Sequence, residues 1–144
     1  MEVITKSPLE TQKAAGQILE ELEKTDGNLI CIYGEMGAGK TTLIQGIAKT
    51  LGVNGRVVSP TFILMRKYPV SGNSFKNLWH IDLYRLNSLE EVRQLGIKEL
   101  VDERNNLVII EWARRAEKLL PQKRLEVNLE YLSIQKRKIT TRIL

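Results

Sequence analysis

Four residues in "IYGEMGAGKTTLIQ" (32–45) have the type and spacing needed to hold a chain of phosphates. Gly34, Gly39, Lys40 and Thr41 match G-x-x-x-x-G-K-[ST], the phosphate loop or Walker A pattern. Phosphate oxygens need backbone N–H groups at close range, and glycines permit the tight turn while keeping side chains out of the way. A helix starting within the loop aims its positive end at the same place. Lys40 is expected to reach the β- and γ-phosphates, and the Thr41 hydroxyl is expected on Mg²⁺. The pattern predicts a bound nucleoside triphosphate and leaves open what the energy is used for.

Such a site also needs carboxylates to hold the metal and orient water. Asp82, late in the strand-like "HIDLYRL", and Glu111, ending the apolar run "LVIIEW", are the candidates. A carboxylate at the end of a buried strand is costly without a cation. In open α/β sheets ligands gather beyond the carboxyl ends of parallel strands, so Glu111 fits a role opposite Thr41. Asp82 has two readings, a catalytic acid or a partner for Arg85 and the local backbone. His80, the one histidine, reads as a packed or hydrogen-bonded strand residue, and Trp79 and Trp112 as core or interface aromatics. Between loop and acids lies "SPT" (59–61), where Thr61 is either a γ-phosphate-sensing switch residue or the start of a strand.

The elements that must position these groups follow from periodicity. "SPLETQKAAGQILEELEKTDG" (7–27) predicts a first helix, with Ser7 and Glu10 as a capping box, Pro8 in the first turn and Gly27 past the end. "NLICIY" (28–33) predicts a strand buried on both faces, and a second helix runs from about Gly39 to near Gly52. The motif thus sits between strand and helix, as it must. A strand is expected near Val57 and Val58, then a hairpin over 62–85 turning at "VSGNS". "SLEEVRQLG" predicts a short helix capped by Ser88, "NLVIIEW" (106–112) another buried strand, and "RRAEKLLP" a brief helix. "RLEVNLEY" and "RKITTRIL" alternate with period two and predict a terminal hairpin. The expected fold is a single α/β domain over 1–144, a P-loop nucleotidase-like sandwich with a central mixed β-sheet, parallel around the phosphate loop.

Composition narrows the setting. No stretch approaches the roughly 18 apolar residues of a membrane span, and the start "MEVITKSPLE" lacks a secretory pattern. The lone Cys31 lies in an apolar run, which fits a small buried hydrophobe in a reducing cytoplasm. The net charge of +5 is uneven: residues 113–144 hold nine Lys/Arg against three Glu, and the first 112 residues carry −1. That basic region is either a solvated face or a surface for RNA or an acidic protein.

"GEMGAGKTT", "SPTF", "HIDLYRL", "LGIKELV" and "IIEW" occur in this order at close spacing. Together they resemble the TsaE (YjeE) family, the small bacterial ATPases of threonylcarbamoyladenosine tRNA modification. The resemblance implies an ATP- and Mg²⁺-dependent partner of a threonylcarbamoyl-transferase heterodimer of the TsaB and TsaD type, which modifies adenosine 37 of certain tRNAs. The ATPase would reset or regulate that complex, and tRNA contact is possible through it. It further implies phosphate contacts from Lys40, Thr41 and Thr42 and from the amides of Gly37, Ala38 and Gly39. Thr41 and Glu111 match Mg²⁺-associated positions, Asp82 the acid linked to hydrolysis, and Thr61 the switch-like loop. The base is expected near Leu9 and Gln135. Glu35 stands where the family usually has Asp, which keeps the charge.

Other classes fit less well. A guanine-nucleotide switch needs an Asn-Lys-x-Asp base reader, which neither "DERNNL" nor "LPQKRLE" supplies. A direct nucleic-acid binder would interleave aromatics in the basic region, where Tyr131 stands alone. A small P-loop kinase acting on a small-molecule acceptor is the alternative, resting on the Arg114–Arg115 pair near the second acid.

Overall fold

The alternation of apolar residues along the second strand sorts the molecule into layers. Ile30 and Ile32 join one buried cluster, and Leu29 and Cys31 join another on the opposite face of the sheet. The structure is a computed structural model describing residues 1–60, 64–72 and 74–144. Among these, seven strands form one sheet: β1 (Glu2–Thr5), β2 (Leu29–Tyr33), β3 (Met65–Pro69), β4 (Asn77–Asp82), β5 (Asn106–Glu111), β6 (Leu125–Tyr131) and β7 (Arg137–Ile143). Their spatial order is β1-β7-β6-β2-β5-β4-β3. The central pairs β6–β2, β2–β5 and β5–β4 are parallel, and the outer pairs are antiparallel. The expected mixed sheet, parallel around the phosphate loop, is observed.

One face carries α1 (Pro8–Lys13), α2 (Ala15–Glu23) and α3 (Lys40–Thr50). The other carries α4 (Leu89–Gln94), α5 (Ile97–Asp102) and a 3₁₀ helix, Ala113–Leu119. The central strand β2 and residues 107–110 of its neighbour β5 are apolar because both faces of the sheet are covered there. No helix of the described residues is long and apolar enough to cross a membrane.

Several local expectations hold and others are corrected. Ser7 Oγ accepts from the Glu10 N–H at 3.1 Å, but Glu10 reaches back to the Lys6 N–H rather than to Ser7. The first helix is divided into α1 and α2 at Ala14, which keeps a right-handed helical backbone and donates to the Glu10 carbonyl while accepting from the Ile18 N–H. Gly46 of α3 lies directly against the Gln12 backbone of α1. Val57 and Val58 form no strand. Their backbone groups are taken by side chains, Gln45 Nε2 donating to the Val57 carbonyl and the Val58 N–H donating to Tyr68 Oη. Strand β1 and helix α5 were not anticipated, and both hairpins, β3–β4 and β6–β7, are present.

Candidate functional site

The phosphate loop leaves the carboxyl end of β2, at the centre of the parallel block. Gly34, Gly37 and Gly39 adopt φ of 153°, 81° and 98°, a region that L side chains rarely enter. At Gly34 a Cβ would also lie 2.7 Å from the Leu129 carbonyl oxygen of β6, so the start of the loop admits no side chain. Gly39 is the N-cap of α3, whose first turn holds no acidic residue that would occupy its positive end.

Lys40 is buried and donates to the Gly34 carbonyl at 2.6 Å. Its ammonium also lies 4.3 Å from the centre of the Trp112 ring. Trp112 follows Glu111 directly and has φ 59°, an uncommon conformation for so bulky a residue. Its ring centroid is 4.9 Å from that of Tyr84. Lys40, Trp112 and Tyr84 therefore form a continuous stack beside the loop.

The two acids end adjacent strands. Asp82 is the last residue of β4 and Glu111 of β5, and they are register partners. Alternation puts them on the α3 side of the sheet, with Leu78 and Ile109. Each is 3% exposed. Asp82 Oδ1 accepts from the Tyr84 N–H at 2.9 Å. Glu111 Oε2 is 2.7 Å from His80 Nε2. The backbone N–H of Asp82 donates to the Leu64 carbonyl, which ties this acid to the far end of the segment that begins at Ser59.

These groups meet at a cavity of about 340 Å³ whose lining includes Gly37, Gly39, Lys40, Thr41, Asp82 and Glu111. Thr42 and Trp112 also line it, as does Ser59. Of the predicted residues, Ala38 sits beneath the loop and its N–H closes a turn on the Glu35 carbonyl. Leu9 is exposed on α1 and is not part of this lining. Gln135 lies in the β6–β7 turn. Thr61 lies outside the described residues.

Sequence reasoning missed Arg137. This first residue of β7 lines the cavity and donates through Nη2 to the Gly37 carbonyl at 3.1 Å. Its guanidinium stacks 4.5 Å from the Tyr131 ring centre, and its buried Nε has no partner among the described residues. It brings the turn carrying Gln135 to the flank of the loop. Only pairing between distant segments creates this contact, so no local signal announced it.

The residues present fit a nucleoside triphosphate with Mg²⁺. The glycine conformations, the acid-free helix start and the buried Lys40 suit a polyanion. Mg²⁺ is usually held by one or two carboxylates together with substrate phosphates, rather than by an all-protein cage. Thr41 and Glu111 line one cavity, which suits that kind of site.

Comparison with known proteins places the chain in a family. Residues 5–139 match the family model described as "Threonylcarbamoyl adenosine biosynthesis protein TsaE". The chain is similar to the tRNA threonylcarbamoyladenosine biosynthesis protein TsaE of Haemophilus influenzae, 34% identical over 125 residues that cover 87% of this chain and 77% of that one. It is also similar to the protein of the same name from Rickettsia felis, 39% identical over 129 residues that cover 89% and 71% of the two chains. The crystal structure of Bacillus subtilis YdiB superposes with a TM-score of 0.74 at 28% identity, covering 100% of this chain and 86% of the other. The family model covers residues 5–139 and the relatives exceed 30% identity over most of their length, so the chain belongs to the TsaE family of threonylcarbamoyladenosine biosynthesis proteins.

Proposed function

We propose that this chain binds and slowly hydrolyses ATP with Mg²⁺, and that it serves tRNA N6-threonylcarbamoyladenosine formation as a partner of the transferase rather than as the transferase. The observation that carries the reading is the meeting of Lys40 and Thr41 with Asp82 and Glu111 around one cavity. Bound Mg²⁺ would supply charge neutralisation between the phosphates. Thr41 and Glu111 are assigned to holding it, Lys40 to the β- and γ-phosphates, and Asp82 to orienting water. The amides of Gly37, Ala38 and Gly39 and the Thr42 hydroxyl complete the phosphate contacts, and Leu9 and Gln135 flank the base. Thr61 is assigned to the switch-like segment.

The partner is a threonylcarbamoyl-transferase heterodimer of the TsaB and TsaD type, in the cytoplasm, with tRNA reached through that complex. The kinase alternative gains no support from its arginines. Arg115 donates to the Leu86 carbonyl, Arg114 lies over the Tyr33 ring, and neither lines the phosphate-loop cavity.

The test is phosphate release by the purified chain with Mg²⁺ and ATP, alone, with the heterodimer, and with candidate small-molecule acceptors. Release to water that rises with the heterodimer is expected. Transfer to an acceptor would replace this reading with the kinase.

A further inference from the structure

The motif "HIDLYRL" contributes Asp82 to the site, yet its most deeply placed polar group is His80. His80 precedes Asp82 by two residues on β4, so both project from the same face of the sheet. The imidazole is fully buried, with Nε2 2.7 Å from Glu111 Oε2. In register, His80 lies opposite Ile109, so the contact runs diagonally to the residue two further along β5. Among the described residues, this is the one hydrogen bond of the Glu111 side chain, and the buried Nδ1 of His80 has no partner.

The unpartnered nitrogen selects a tautomer. With the proton on Nδ1, a buried N–H would lack an acceptor and the bare Nε2 would face a carboxylate oxygen, two unfavourable terms. With the proton on Nε2, the N–H donates to Glu111 and only a lone pair on Nδ1 is left without a partner. An isolated buried carboxylate is unstable in one orientation unless a donor holds it. We infer that His80, donating from Nε2–H, is a positioning residue for Glu111: it fixes Oε2 and leaves Oε1 as the free oxygen of a carboxylate that lines the phosphate-loop cavity. Its metal half rests on the proposed function, since it is Mg²⁺ with nucleotide that this oxygen would meet.

The chain has a single histidine, so the imidazole ¹⁵N spectrum of the whole protein is the spectrum of His80. The nucleotide-free wild type is expected to show a protonated-type Nε2 and a bare-type Nδ1. Mg²⁺ affinity is then measured by calorimetry on protein saturated with a non-hydrolysable ATP analogue. Loss of a partner that orients a metal-associated side chain weakens metal affinity by about 10–100-fold. His80→Leu is expected to show such a loss while metal-free nucleotide affinity stays unchanged. His80→Gln, whose amide restores a donor, should recover most of it. A protonated Nδ1 in the wild type overturns the inference, as does a His80→Leu chain with wild-type Mg²⁺ affinity. Equal losses in the Leu and Gln variants, with matching falls in melting temperature, would make His80 a packing residue only and overturn it too. The wild-type spectrum needs no variant, so a His80→Leu chain that failed to fold would leave the tautomer to decide. Wild type that takes up no Mg²⁺ with the analogue would overturn the proposed function and with it the metal half. That failure is separable, because the tautomer is read without nucleotide.

Discussion

Asp82 and Glu111 stand opposite each other at the last register pair of the parallel β4–β5 ladder. Neighbouring strands are about 4.8 Å apart, so two carboxylates here would repel unless each were held separately or shared a cation. Each is held separately, Asp82 by the Tyr84 N–H and Glu111 by His80. The different partners argue for different work. Asp82 is tied through backbone to the segment from Ser59, whereas Glu111 adjoins Trp112 and, through it, Lys40.

The two acids should therefore give different phenotypes. Glu111→Gln is expected to lower Mg²⁺ dependence and hydrolysis together. Asp82→Asn should leave nucleotide affinity within a few-fold of wild type and slow hydrolysis. Nucleotide titration and single-turnover phosphate release on both variants check this. Lost binding in Asp82→Asn with an unaffected Glu111→Gln would mean the roles are reversed.

Lys40→Ala removes the buried cation of the loop. Taking away one preorganised charge-stabilising donor costs about 10²–10³ in turnover in comparable sites, and a loss of that order is expected. The variant also deprives the Gly34 carbonyl of its donor and the Trp112 ring of its cation, so Trp fluorescence should change without nucleotide. Unchanged ATP affinity and hydrolysis would falsify the site.

Thr41→Ala should weaken the Mg²⁺–nucleotide complex more than nucleotide alone, because Thr41 lies at the helix start and lines the same cavity as Glu111. Parallel titrations with Mg²⁺ and with a chelator measure the difference. Equal losses in the two series would remove Thr41 from the metal.

Gly46→Ala probes the scaffold rather than the chemistry. Alanine is the better helix former by about 1 kcal/mol. Here, however, a Cβ would sit 2.6 Å from Gln12 Cα, against backbone that cannot swing aside. Overpacking of that kind costs about 1–3 kcal/mol, so the balance is expected to be destabilising, seen as a melting temperature several degrees lower. A more stable variant would mean that α1 and α3 do not meet as described.

What was legible in the sequence is what local chemistry encodes. The phosphate loop could be read because its glycines answer a local backbone demand, and the acids because a carboxylate ending an apolar run needs a reason. The β6–β7 hairpin showed in its period-two alternation. The β1 strand did not, since four residues carry too little pattern and its partner β7 lies at the other end of the chain. Arg137 was silent for the same reason: its meaning comes from Gly37, 100 positions away. His80 was read as a hydrogen-bonded strand residue, but its partner depended on the β4–β5 register, which no single strand reveals.

The last prediction concerns what the nucleotide is for. Among the described residues the cavity is lined by one lysine and one arginine, and Arg137 is already committed to the Ser133 and Lys136 carbonyls of the β6–β7 turn and to the Gly37 carbonyl of the loop. An arginine supplied to the transferring phosphate is worth about 10³–10⁵ in rate, and a chain whose own arginine is so engaged should hydrolyse ATP slowly by itself. Met36 lines the cavity and is exposed, and Ile134 is exposed in the β6–β7 turn that Arg137 ties to the loop, apolar surface of the kind a partner covers. The heterodimer is therefore expected to raise hydrolysis, and repeated turnover of tRNA modification by the heterodimer should require intact Lys40. The measurement is a modification time course over many turnovers with wild-type chain, with Lys40→Ala and with neither. Wild type should sustain product formation while the other two stop after early turnover. Three coincident courses would mean that the energy released at this loop serves another process.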